Sequence, residues 1–145
     1  MNRRSLLAGV GLVSLGGFAG CVGRIPGRGL STEFELGDPT HPPDDPPDVT
    51  VDGEKVRVRG TVEHGSSSCG TVELAHAAFE GSQRRVDFLV VAADDSGVLP
   101  GCTEDLVHAG YRLDATSPQE PRRVSVTEHH VFGETYSTTV DLTDD

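Results

Sequence analysis

The chain has 145 residues, with twelve Lys/Arg against twenty-three Asp/Glu, a formal net charge of −11 and no Trp. That length holds one domain plus a tail and is too short for a two-lobed solute receptor. The excess of carboxylates also argues against nucleic acid as a partner, because phosphate binding needs clustered Lys and Arg.

Residues 1–20 open with Met1 to Arg4, a short positive start, followed by an uncharged run from Leu6 to Phe18. About thirteen residues is well under the roughly 20 that a membrane-spanning helix requires. A positive start, a short apolar middle and a small-residue exit make the pattern of a secretory signal. Adjacent Arg3 and Arg4 before Ser5, Leu6 and Leu7 resemble a twin-arginine signal, the route for proteins exported already folded. The exit, Phe18-Ala19-Gly20-Cys21, resembles a lipobox, which implies lipidation of the Cys21 thiol and attachment to the membrane.

Removing residues 1–20 takes away two basic residues and no acidic ones, leaving −13. Lys55 is the only lysine, and Asn2 is the only asparagine, so no N-linked glycan acceptor follows the signal. A surface this acidic and poor in lysine suits molar salt, where screening lengths fall to about 3 Å. Together with the export signal, it resembles haloarchaeal lipoproteins.

From Cys21 to Pro47 the chain reads as a tether. Within it, Ser31 to Leu36 is a candidate edge strand carrying Phe34 and Leu36. Gly37 to Asp48 then holds Pro39, Pro42, Pro43, Pro46 and Pro47, which make it extended and semi-rigid. This stretch is either the end of a stalk or, if Phe34 pairs into the domain, a crossing loop.

The domain itself is expected over residues 48–145. Val49 and Val51 lead to a hairpin turn at Asp52-Gly53, and Val56, Val58, Gly60 and Val62 then alternate with polar residues. Thr71 to Phe79 and Arg84 to Ala93 form two further strands about a turn at Glu80–Gln83. The continuous Phe88-Leu89-Val90-Val91 predicts a central strand covered on both faces. Glu104 to His108 has room for one helical turn. Strands around Tyr111–Leu113, Val124–Val126 and Tyr136–Leu142 complete the chain. About seven short strands with turns between them predict an all-β, antiparallel, immunoglobulin-like β-sandwich.

Cys69 precedes one strand of the 71–93 hairpin and Cys102 follows the other, so the Gly97–Gly101 loop can return Cys102 to Cys69. An oxidising compartment makes this pair a disulfide. With Cys21 assigned to lipid, no thiol is left over. The loops Gly65–Gly70 and Cys102-Thr-Glu-Asp105 also resemble those of exported small β-domains without an assigned activity, which implies a sandwich held by this bridge.

The alternative is a metal or redox site built from His64, Cys69, Cys102 and His108, a set that tetrahedral zinc accepts. His129 and His130 are consecutive on a predicted strand, point to opposite faces and read as surface histidines. The run Ser66-Ser67-Ser68 lacks the second Gly of a nucleophile elbow. Asp44-Asp45 and Asp94-Asp95 read as solvated turns. No enzyme activity and no cofactor are expected. The reading is a binding or structural module on the extracytoplasmic face, held by its lipid and engaging another envelope protein.

Overall fold

The computed structural model describes residues 29–94 and 101–142. Cys21 and residues 1–20, read from the sequence as an export signal, lie outside the described residues. Among the described residues there are eight strands: β1 (Ser31–Gly37), β2 (Asp48–Asp52), β3 (Lys55–Gly65), β4 (Gly70–Glu80), β5 (Arg85–Asp94), β6 (Leu106–Thr116), β7 (Arg123–His129) and β8 (Thr135–Asp141). They form two four-stranded sheets, β1-β6-β3-β2 and β4-β5-β7-β8. β3 lies across β4, β5 and β7, so the sheets stack as a β-sandwich.

Period-two alternation builds both inner faces. Val56, Val58 and Val62 of β3 point inward while Lys55, Arg57 and Arg59 point out. Tyr111, Leu113 and Ala115 of β6 do the same, as do Val86, Phe88 and Val90 of β5 and Val124 and Val126 of β7. β-branched Val dominates this core, and Val packs well on a pleated surface.

The strand order keeps much of the immunoglobulin plan, in which A-B-E-D faces C-F-G. β2, β3 and β6 occupy the places of A, B and E, and β7 and β8 those of F and G. Two departures follow from the connections. β1, first in the chain, takes the place of D beside β6. The strand beside β7 is β5, the second member of the β4–β5 hairpin, and it runs parallel to β7. The expected antiparallel sandwich is present, and among the described residues β5–β7 is its one parallel pair. The chain leaves the second sheet after β5, traverses the first sheet as β6 and returns, so two reversals leave β5 and β7 in the same direction.

Two local expectations also change. Leu106 begins β6, so residues 106–108 are strand and not a helical turn. β5 is central, but only Val86, Phe88 and Val90 are fully covered, while Leu89 and Val91 sit half-buried on the outer face.

Ser31–Gly37 pairs along its whole length with β6, and Phe34 stacks on Tyr111 at a centroid distance of 5.5 Å. β1 and β2 lie at opposite edges of the first sheet, so the Pro-rich stretch 38–47 connects one edge to the other. It crosses the outer face over Gly110, where a Cβ would collide with the Asp38 carbonyl. Thr61, the register partner of Gly110, is buried there although its parity points it outward. At the far side, the Thr138 hydroxyl donates to the Pro47 carbonyl.

Candidate functional site

The outer face of the first sheet beyond this crossing is a polar cleft of about 680 Å³. Register arranges the outer side chains of this sheet, most of which line the cleft, in three rows across β2, β3, β6 and β1. The first is Asp48–Arg59–Arg112–Glu35, the second Thr50–Arg57–Asp114–Glu33, and the third Asp52–Lys55–Thr116–Ser31. A basic column of Lys55, Arg57 and Arg59 on β3 therefore runs beside Asp48 and Asp52 of β2 and Asp114 of β6.

Asp114 accepts from Arg57 Nε at 2.7 Å and pairs with Arg112 at 3.1 Å, while Arg112 also donates to Glu35 at 3.1 Å. These contacts hold Arg57 and Arg112 in place. Arg59 and Lys55 make no ion pair among the described residues, and Arg59 stands directly opposite Arg112. Like charges in that relation repel. The cleft thus offers the Arg57 guanidinium held by Asp114, two uncommitted cations, carboxylates and the hydroxyls of Ser31, Thr50 and Thr116. Such a surface can engage a charged, polar partner by direct hydrogen bonds, and among its lining residues only Val56 and Ala115 are aliphatic.

A second polar group lies between the sheets. Glu128 is completely buried on the inner face of β7, next in parity after Val124 and Val126. The Tyr111 hydroxyl donates to its Oε2 at 2.6 Å, and His130 Nε2 lies 3.4 Å from its Oε1. Burial raises the Glu128 carboxyl to about 7, against a smaller lowering by the Tyr111 hydrogen bond. Burial and the Glu128 charge push the Tyr111 phenol far up. Gly60 of β3 makes room for the pair, since a Cβ there would collide with both Glu128 and the Tyr111 ring.

His130 is likewise buried and meets Tyr136 edge-on at 4.9 Å. The reading of both histidines as surface groups therefore holds for His129 alone. His129 ends β7 in solvent, whereas the turn that follows tucks His130 under Tyr136.

The third cluster is at the pole that holds the disulfide. Cys69 and Cys102 are bonded, with Cα atoms 5.5 Å apart. Gly70 pairs with Asp94, so the β4–β5 hairpin brings the two loops together in the predicted way. Thr103 Oγ1 exchanges hydrogen bonds with the hydroxyls of Ser66, Ser67 and Ser68 at 3.1–3.4 Å. Donation from Thr103 and from the Ser67 N–H holds the Asp105 carboxyl well below its usual range. The serine hydroxyls are thus engaged in closing the loop.

The four candidate metal ligands are not assembled. Both sulfurs are in the disulfide, His64 faces inward from β3, and His108 faces outward from β6 onto Glu63 at 2.8 Å. Among the described residues no group of three or more His, Cys, Asp or Glu has a metal-binding arrangement.

Reading the sequence by motif missed the cleft and the Glu128 group. The signal for Glu128 is present in the sequence, as an acidic residue in phase with Val124 and Val126. No family model, no curated protein and no solved structure matches this chain.

Proposed function

We propose that this chain is a non-catalytic binding module of the cell envelope, held on the extracytoplasmic face by lipid on Cys21. Its binding surface is the outer cleft of the β1-β6-β3-β2 sheet, and its partner is the charged surface of another envelope protein. The observation that carries this reading is the three-row array of Arg, Lys, Asp, Glu and hydroxyl groups in a cleft of about 680 Å³. The Arg57 guanidinium, already held by Asp114, loses little freedom on meeting a partner carboxylate. The acidic, lysine-poor composition and the twin-arginine and lipobox resemblances support a haloarchaeal surface location. In such salt long-range steering is screened, and recognition falls to contacts of this short-range kind.

A photo-crosslinking residue placed at Thr50 in the cleft, and in a separate variant at Thr139 on the outer face of the second sheet, tests this on intact cells. The expected result is a discrete crosslinked species from position 50 alone, lost when Arg57 and Arg59 are both changed to Glu. It should also be lost when Cys21→Ser releases the protein from the membrane fraction. The same products from both positions, or persistence after the double charge reversal, would refute the assignment of the cleft.

A further inference from the structure

The connection from β7 to β8 is tied to the opposite sheet at Glu63, in part through the His130 imidazole. His130 N–H donates to the Glu134 carbonyl at 2.9 Å, and Gly133 N–H donates to the His130 carbonyl at 3.0 Å, which closes the turn on itself. The pairing of β2 with β3 stops at Arg59, so β2 does not cover the edge of β3 beyond that point. Glu63 lies on that edge. Its N–H donates to His130 Nδ1 at 3.2 Å, and its carbonyl accepts from Val131 N–H at 3.0 Å. The turn therefore adds a two-bond bridge between the sheets, and it carries the exposed side chains of Val131 and Phe132.

Hydrogen-bond accounting determines the state of the ring. Nδ1 accepts an N–H, so in the closed form it carries no proton. The neutral ring then bears its proton on Nε2, which faces Glu128 Oε1. A second proton can go only to Nδ1, where it would point at the Glu63 N–H. Two donors cannot share that contact, and a side chain 1% exposed cannot turn toward water without moving its backbone.

We propose that His130 is an acid-sensitive latch: proton uptake at Nδ1 removes the acceptor for the Glu63 N–H and releases the 130–134 turn from β3 while the sandwich stays folded.

The surrounding charges set the direction. Burial lowers the affinity of His130 for a proton, and His108 on β6 lowers it further. Glu134 in the turn and Glu63 on β3 act the other way. Tyr111 on β6 and Tyr136 on β8 are both neutral near pH 7, their phenols pushed up chiefly by burial. Glu134 acts on both His130 and Tyr136, and Asp44 in the 38–47 connection acts on Tyr136, whose ring meets the imidazole edge-on. Glu128 is the group that would otherwise hold an imidazolium in place. Burial raises it to about 7, so it is already largely protonated when His130 titrates and supplies no counter-charge. The imidazolium is left buried with only Glu134 and Glu63 to favour it, burial outweighs them, and it gains most by moving into solvent. The latch is closed at neutral pH and opens in acid.

Amide hydrogen exchange of the 15N-labelled protein, corrected for intrinsic chemistry, tests this at about pH 8 and about pH 5, on either side of the histidine range. Protection of Glu63 and Val131 should fall about tenfold or more in acid, while Val58 in the middle of β3 stays protected. His130→Asn places a non-titrating oxygen where Nδ1 lies, and its Glu63 amide should keep its protection at both pH values. In the wild-type protein alone, the Glu63 amide and the His130 Nδ1 resonances should titrate with one midpoint. A Glu63 amide that does not respond as the imidazole titrates, or equal loss of protection in His130→Asn, would overturn the latch.

Discussion

The outer cleft of the first sheet and the layer between the two sheets hold charged groups under opposite conditions. In the cleft, Arg57 and Asp114 meet at 2.7 Å with 55% and 30% of their side chains exposed. Water and salt screen that contact, and either partner keeps good solvation if the other leaves. Between the sheets, Glu128 has no solvent at all and depends on Tyr111 and His130 for hydrogen bonds. The same chemical class of residue is therefore cheap to change in one layer and expensive in the other. What differs is solvation, and the strand period decides which layer a residue enters.

Adjacent positions on β3 give the largest test of that contrast. Gly60 points inward against Glu128 and Tyr111, while Arg59 points outward into the cleft. Gly60→Ala forces a methyl group into the Tyr111–Glu128 contact and should destabilise by about 3 kcal/mol, at the upper end for overpacking. Arg59→Ala should shift stability by no more than about 0.5 kcal/mol. Denaturant midpoints of both variants measure the difference. Equal midpoints would mean that the interior accommodates a Cβ at position 60 and that the layers do not differ as described.

A pH series on Glu128 ranks next. Its carboxyl titrates at about 7 in the folded chain and at the ordinary 4.5 when unfolded. Between those values the folded state holds a proton that the unfolded state has released. Stability from this group is complete below about pH 4.5 and is lost as pH rises toward 7, by about 3 kcal/mol in all. His130 acts with the opposite sign: burial lowers its proton affinity, so its share of stability is lost as pH falls below 6.5. The two oppose each other in the wild-type chain. Glu128→Gln should be more stable than wild type at about pH 8 and should unmask the histidine slope, losing stability steadily on acidification. Thermal melts across the series read both signs, and a Glu128→Gln profile parallel to wild type would place the titration elsewhere.

Much of this fold is visible in the sequence, for reasons tied to single residues. Val56, Val58 and Val62 alternate with charged or hydroxyl residues and can only be a half-buried strand. The disulfide follows from a hairpin whose turn at Glu80–Gln83 is local in sequence, and the bonded pair lies where that hairpin puts it. The parallel β5–β7 pair is different, because it depends on β6 traversing the other sheet between them. No residue in β5 or β7 encodes that event locally. The cleft is hidden for the same reason. Its second row draws Glu33, Thr50, Arg57 and Asp114 from four different strands, and only register brings them side by side. His130 escaped because strand parity stops at His129, and the bond that buries it comes from Glu63, sixty-seven residues away.

The smallest effect sharpens the contrast most, because it asks how little the cleft contributes to folding. Arg57, Arg112, Asp114 and Glu35 form a connected set of exposed ion pairs. A double-mutant cycle on Arg57 and Asp114 should return a coupling of about 0.5 kcal/mol, within the range for exposed pairs. Raising salt should reduce it further, since both partners are open to solvent. A coupling near zero leaves the array free to be shaped by binding, because its charges would then contribute to recognition without being needed for the fold. A coupling above about 2 kcal/mol that survives molar salt would be outside what solvated pairs supply. It would make the array a structural clasp between β3 and β6, and the cleft would lose its standing as the binding surface.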